Sequence, residues 1–227
     1  MVRPRTIVLL SLCLLAVCAV AALQAPPFED EIRRFEAGDK LAPPAEGSVL
    51  FVGSSSIRLW TTLARDFPEY RTLNRGFGGS QIADSTRNAD RIVTPYKPEA
   101  IVFFAGTNDL ASGKTPETVR RDYEAFVTRV RAKLAHVPIA FISITPAPSR
   151  WANIANVRKA NELVKAYTRA HKNLYFIDVF PLMLDAKGGP RPDLFVDDQL
   201  HMKPEGYAIW TREVRKVLRE MRLGRAR

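Results

Sequence analysis

Apolar residues follow two rhythms along this chain. Five short apolar runs, most of them rich in β-branched or aromatic residues, occur at Val49–Val52, Arg71–Asn74, Ala100–Phe104, Ile139–Ile144 and Tyr175–Val179. Apolar runs without alternation suit strands covered on both faces, as in a parallel sheet. Helical spacing fills the intervals. Val119, Tyr123, Phe126, Val127, Val130 and Leu134 share one stripe, opened by Thr115-Pro116 as N-cap and first turn. Ile154, Val157, Asn161, Val164 and Tyr167 form a second stripe; Tyr207, Trp210, Val214, Val217, Leu218 and Met221 form a third. Phe28, Ile32 and Phe35 predict a short helix over Phe28–Ala37 stopped by Gly38, with Leu41–Ser48 as a loop. Strands alternating with helices predict a doubly wound α/β sheet in one domain, residues 26–227.

Residues 1–25 have a different pattern. Arg3 and Arg5 precede an unbroken apolar run, Thr6–Leu23, which is followed by Gln24 and Ala25-Pro26-Pro27. A basic start, an apolar stretch and the small-residue site Ala19-Val20-Ala21 predict a signal peptide. The run also approaches the length of a membrane anchor, and Leu15-Ala16-Val17-Cys18 resembles a lipobox with a bulky Val17 before the cysteine. All three readings export the domain, to the periplasm or beyond, tethered to the membrane if the segment is not cleaved. Cys13 and Cys18 both lie in the apolar run, so a cleaved protein has no thiol and no disulfide.

Composition narrows the class. The 227 residues are 46% apolar and 26% charged, ordinary globular values that argue against disorder. Net charge is +10, and removing residues 1–21 takes away Arg3 and Arg5 and no acid, leaving +8. That charge suits peripheral association with anionic envelope surfaces. No readable nucleic-acid motif accompanies it. Arg212, Arg215, Lys216, Arg219 and Arg222 read as the solvated face of the last helix.

In a parallel α/β sheet, ligands lie beyond the carboxyl ends of the strands. The turns expected there are Gly53-Ser54-Ser55-Ser56, Gly76-Phe77-Gly78-Gly79 and Gly106-Thr107-Asn108-Asp109. A serine on a strand-to-helix turn projects its hydroxyl above the sheet, beside free backbone donors at a helix start. The segment is not a G-x-S-x-G elbow, because Ile57 follows Ser56, and without Gly-Lys-Ser/Thr it is not a P-loop. Taken alone, these serines could equally cap the next helix.

A nucleophilic serine needs a base, most often histidine. His136 follows a helix end, where it suits a capping role, and His171 ends another helix beside Lys172. His201 instead lies in the loop Phe195–Tyr207, three residues after Asp198. One turn of chain lets that carboxylate reach one ring nitrogen while the other faces the serine, and Asp197 could serve in its place. Gly79, lacking a side chain, can bring a backbone N–H close to an oxyanion, and Asn108 can donate its amide. As ordinary turn formers, these residues would read as loop chemistry only.

Four blocks together resemble the SGNH hydrolases, also called GDSL esterases and lipases: Val49–Trp60, Asn74–Gln81, Phe103–Leu110 and Asp197–Tyr207. The resemblance runs from Val49 onward. It implies a flavodoxin-like three-layer sandwich with five parallel strands, no metal and no cofactor. It further implies Ser55 as nucleophile, Asp198 and His201 as its partners, and Ser55, Gly79 and Asn108 as oxyanion donors. The family's usual Gly-Asp-Ser reads Gly53-Ser54-Ser55 here, which leaves Ser54 and Ser56 as alternative nucleophiles.

The activity implied is hydrolysis of carboxylic esters: short acyl groups such as acetyl esters of carbohydrates, or lipid esters. Trp60 and Trp151 are candidate wall residues for such a substrate, or packing residues at helix starts. Two rival classes remain. A polysaccharide- or lipid-binding domain would keep the fold without needing all five site residues. A metal-dependent phosphoesterase would use Asp84, Asp109, Asp197 and Asp198, without clustered histidine ligands.

Overall fold

The strands are β1 (Val49–Gly53), β2 (Thr72–Gly76), β3 (Ala100–Phe104), β4 (Ile139–Ile142) and β5 (Leu174–Ile177); β1, β3 and β4 are buried along their whole length, β2 and β5 only in part. The computed structural model describes residues 27–221 and residue 223. The predicted signal peptide, with Cys13 and Cys18, and Arg222 lie outside the described residues. All neighbouring strands pair in parallel, in the order β2-β1-β3-β4-β5. This is the flavodoxin-like order, and its switch point lies between β1 and β3, where a crevice opens at the carboxyl ends.

Among the described residues, eight α-helices flank the sheet: α1 (Glu29–Leu41), α2 (Ser55–Arg58), α3 (Leu63–Asp66), α4 (Ile82–Ile92), α5 (Thr107–Ala111), α6 (Pro116–Arg131), α7 (Ile154–Arg169) and α8 (Pro204–Glu220). Alternate strand residues face opposite layers. Leu50, Val52, Ile101, Phe103, Ile139 and Phe141 pack with Ile32 of α1, Ile82 and Ile92 of α4, Phe126 of α6 and Val164 of α7. Val49, Phe51, Val102, Phe104 and Ile142 pack with Ile57 of α2, Leu63 of α3, and Trp210, Val214 and Leu218 of α8. The fold is a five-stranded parallel sheet between two helical layers, as the pattern and the resemblance both implied.

The boundaries differ where tertiary contacts override local signals. α1 does not stop at Gly38 but continues to Leu41. A helical glycine costs about 1 kcal/mol. Asp39, one residue on, accepts hydrogen bonds from the buried Arg75 guanidinium and the Tyr96 hydroxyl, and these anchor the extra turn. β2 runs on to Gly76 because Arg75 is buried in that same network, an arginine doing what an apolar residue does elsewhere in the sheet. β4 and β5 end earlier than their apolar runs, releasing Ser143–Ile144 and Asp178–Val179 to the rim. Thr115 caps α6 as expected, accepting the Thr118 N–H at 3.2 Å.

Candidate active site

The site begins with a glycine the fold cannot replace. At Gly53, φ is +144°, and a Cβ would stand 1.8 Å from the Phe104 carbonyl oxygen. β1 and β3 therefore end in close contact, and the Ser54 N–H donates to that same carbonyl at 3.0 Å. The chain turns at once into α2, with the buried Ser54 as N-cap and Ser55 as the first helical residue. The Ser55 N–H thus has no carbonyl one turn behind it to satisfy. Tyr207 of α8 donates its hydroxyl to the Ser56 carbonyl at 2.9 Å, fixing α2 from the other side.

The loop after β2 lies along α2. Asn74 spans the two, donating to the Ile57 carbonyl at 2.7 Å and accepting the Gly76 N–H at 2.9 Å. A Cβ on Gly76 would stand 2.3 Å from the Arg58 nitrogen. Gly79 has φ +77° with open space where a Cβ would be, so backbone conformation rather than crowding calls for glycine there. Ser80 joins the third turn: its carbonyl accepts the Asn108 amide at 3.0 Å. Asn108 is held at the start of α5 by its neighbour Asp109, which is fully buried. Asp109 accepts the Ile82 N–H at 3.3 Å and the Lys114 ammonium at 2.9 Å. Burial pushes the Asp109 carboxyl up, against the pull of Lys114.

The last piece is a short loop clamped at both ends. Phe195 and Met202 form an antiparallel bridge, and the Val196 N–H donates to the His201 carbonyl at 2.8 Å. Ser149 donates both its N–H and its hydroxyl to the Gln199 carbonyl, each at 3.0 Å. Within the loop, Asp198 Oδ1 accepts the N–H groups of Leu200 (2.8 Å) and His201 (2.9 Å). Asp198 Oδ2 lies 2.5 Å from His201 Nδ1, and His201 Nε2 lies 2.8 Å from Ser55 Oγ. Burial pushes the Asp198 carboxyl up, but the hydrogen bonds from His201 and Leu200 outweigh it and hold the group below the usual carboxylate range. An ionised carboxylate at Nδ1 fixes the ring proton there and leaves Nε2 free to accept from the Ser55 hydroxyl.

Residues 48–209 match the model of the GDSL-like lipase/acylhydrolase family. The chain belongs to that family. The family supports hydrolysis of esters as its activity. Among curated relatives, the platelet-activating factor acetylhydrolase IB subunit alpha1 of Bos taurus is 28% identical over 202 residues, covering 82% of this chain and 79% of the relative. A GDSL-like lipase from Bacteroides thetaiotaomicron superposes with a TM-score of 0.69 at 19% identity, covering 83% of this chain and 97% of that one. A carbohydrate esterase family 3 structure from Talaromyces cellulolyticus gives 0.61 at 16% identity, covering 78% and 98%. At these identities the two structures share the fold with this chain.

Within this family member, the structure brings Ser55, His201 and Asp198 into one hydrogen-bonded chain, with Asn108 on the adjoining turn and Gly79 one residue from the carbonyl that Asn108 holds. Asp197 is exposed and points to no partner among the described residues. Trp60 is not a wall of the site. It is 1% exposed, packs on Phe51, Phe67, Tyr207 and Trp210, and donates its indole N–H to Asp66 at 2.7 Å. Trp151 is half-buried in a 3-10 turn, Pro148–Asn153. His136 and His171 are both exposed; His171 Nδ1 meets the Tyr167 carbonyl at 2.8 Å. The aspartates of the phosphoesterase reading do not gather: Asp84 caps α4 and pairs with Arg87, and Asp109 is held by Ile82 and Lys114. Sequence reasoning missed the braces Tyr207, Ser149 and Asp109. Only Asp109 had a signal, a lysine five residues on.

Proposed function

We propose that this protein is a serine esterase that removes short acyl groups, with Ser55 as nucleophile. The observation that carries this reading is His201 bridging Ser55 Oγ at 2.8 Å and Asp198 at 2.5 Å. His201 Nε2 takes the Ser55 proton as Oγ attacks the ester carbonyl. The oxyanion is stabilised by the N–H groups of Ser55 and Gly79 and by the Asn108 amide, whose second N–H has no partner among the described residues beside its bond to Ser80. The alcohol departs with the proton from His201, leaving an acyl-Ser55. Water, deprotonated by the same imidazole, then releases the acid and restores the serine.

A small hollow beside Ser55 supports a short acyl group. Phe104, Thr107, Asn108, Thr145 and Leu200 enclose about 10 Å³ there, room for about one water or a methyl group. Larger clefts of about 450 and 680 Å³ lie elsewhere and include neither Ser55 nor His201. The relatives named for acetyl and carbohydrate esters fit this size. The full chain with p-nitrophenyl acetate, butyrate and octanoate tests the reading. Acetate should be the best substrate, and Ser55→Ala should abolish its turnover. Turnover that survives Ser55→Ala overturns the nucleophile; octanoate preferred over acetate overturns the acyl length. We propose further that residues 1–25 direct export, so the N-terminus of the exported protein should fall near Ala21–Pro26.

A further inference from the structure

We propose that Arg58 is a specificity residue that recognises an anionic group on the alcohol side of the ester. This rests on the esterase reading above. Arg58 is exposed, one turn after Ser55 on α2. Its guanidinium lies against the backbone of Gly78: a Cβ there would stand 2.9 Å from Arg58 Nε and 3.0 Å from Nη2. Two residues on, the Ser80 carbonyl is held by Asn108. The segment Gly78-Gly79-Ser80 therefore runs from the Arg58 guanidinium to the Asn108 amide, with the Gly79 N–H between them. An ester whose oxygen rests on Gly79 and Asn108 has two arms. The hollow walled by Asn108, Phe104, Thr107 and Thr145 accepts the smaller, acyl arm. The other arm leaves across Gly78, toward Arg58.

Arg58 is also uncommitted. Many cations here are paired, including Arg75 with Asp39, Arg91 with Glu29 and Glu36, Lys114 with Asp109 and Asp122, and Arg215 with Glu69. Arg58 meets no carboxylate among the described residues, although it flanks the turn where an oxyanion would form. A guanidinium with free donors in a planar fork suits a carboxylate, sulfate or phosphate.

The test compares 3-acetoxybenzoate with phenyl acetate, which differ by one carboxylate, in wild type, Arg58→Ala and Arg58→Lys. Binding of the product 3-hydroxybenzoate, followed by NMR, supplies a readout without catalysis. The ratio of kcat/KM for the anionic over the neutral ester should fall roughly fivefold or more in Arg58→Ala and recover in part in Arg58→Lys. Product affinity should fall with it. Equal losses on both esters would make Arg58 a support for the Gly78 turn and overturn the proposal, as would 3-hydroxybenzoate binding that ignores Arg58. Wild type that turns over neither ester but binds the product through Arg58 would overturn the esterase reading and leave the anion site standing.

Discussion

At the scale of single residues, a few atoms set the chemistry and the backbone sets those atoms. Asp198 uses one oxygen to close its own loop and the other to orient His201, so its two roles separate by substitution. Asp198→Asn should lower kcat by about 10⁴, the loss seen when a triad's orienting carboxylate is removed. Asp197→Asn should stay within about twofold, since that exposed side chain makes no hydrogen bond to His201, and steady-state kinetics on p-nitrophenyl acetate decides between them. On the proposed mechanism the Asn108 amide serves charge that exists only in the transition state, so Asn108→Ala should cost about 10²–10³ in kcat with little change in KM. Gly53→Ala is a folding lesion instead. With 1.8 Å to the Phe104 carbonyl, one strand must move, at about 3 kcal/mol or more, and denaturant unfolding should show it.

Among elements, the rim is assembled by contacts that tie one loop to the next. Asp109 links the Asn108 turn to the start of α4, and Lys114, which burial alone would push down, is held up by Asp122 and Asp109. The lysine five residues on hinted at part of this brace, but the link to α4 was illegible in the sequence because Asp109 and Ile82 are 27 residues apart and meet only once β3 lies beside β1. The serine and histidine blocks were readable for the opposite reason: their chemistry is local, a serine on a glycine turn and a D-x-x-H within one loop. α1 shows the same contrast. Its apolar stripe was visible, yet its length depends on Asp39 reaching Arg75 and Tyr96, and its docking depends on Arg91. Hydrogen bonds from Arg91 and then Arg33 lower the Glu29 carboxyl from 4.5 to about 2. A carboxyl held down in the folded state stabilises it fully above the ordinary value and loses that contribution as pH falls through the lowered one. Exchange of α1 amides, measured relative to β3, should therefore rise as pH drops from about 4.5 toward 2. Arg91→Ala should show the same release at neutral pH. Protection that α1 keeps in step with β3 down to pH 2 contradicts this account.

For the molecule as a whole, the sheet order brings the ends of β1 and β3 together and so decides where chemistry occurs. The alternation of apolar runs and helical stripes was enough to read that architecture, since strands buried on both faces and amphipathic helices have few other ways to pack. It could not assign the tryptophans: Trp60, just beyond α2, reads as either a wall of the site or a packing residue until α8 is seen to close over it. The central claim is that this architecture activates one hydroxyl, Ser55, out of three in a row. Fluorophosphonate labelling of the folded full chain, followed by peptide mapping, tests it most directly. The account predicts a single adduct on Ser55 that is lost in Ser55→Ala and strongly slowed in His201→Ala. An adduct on Ser54 or Ser56, or folded protein that takes no label, would contradict it.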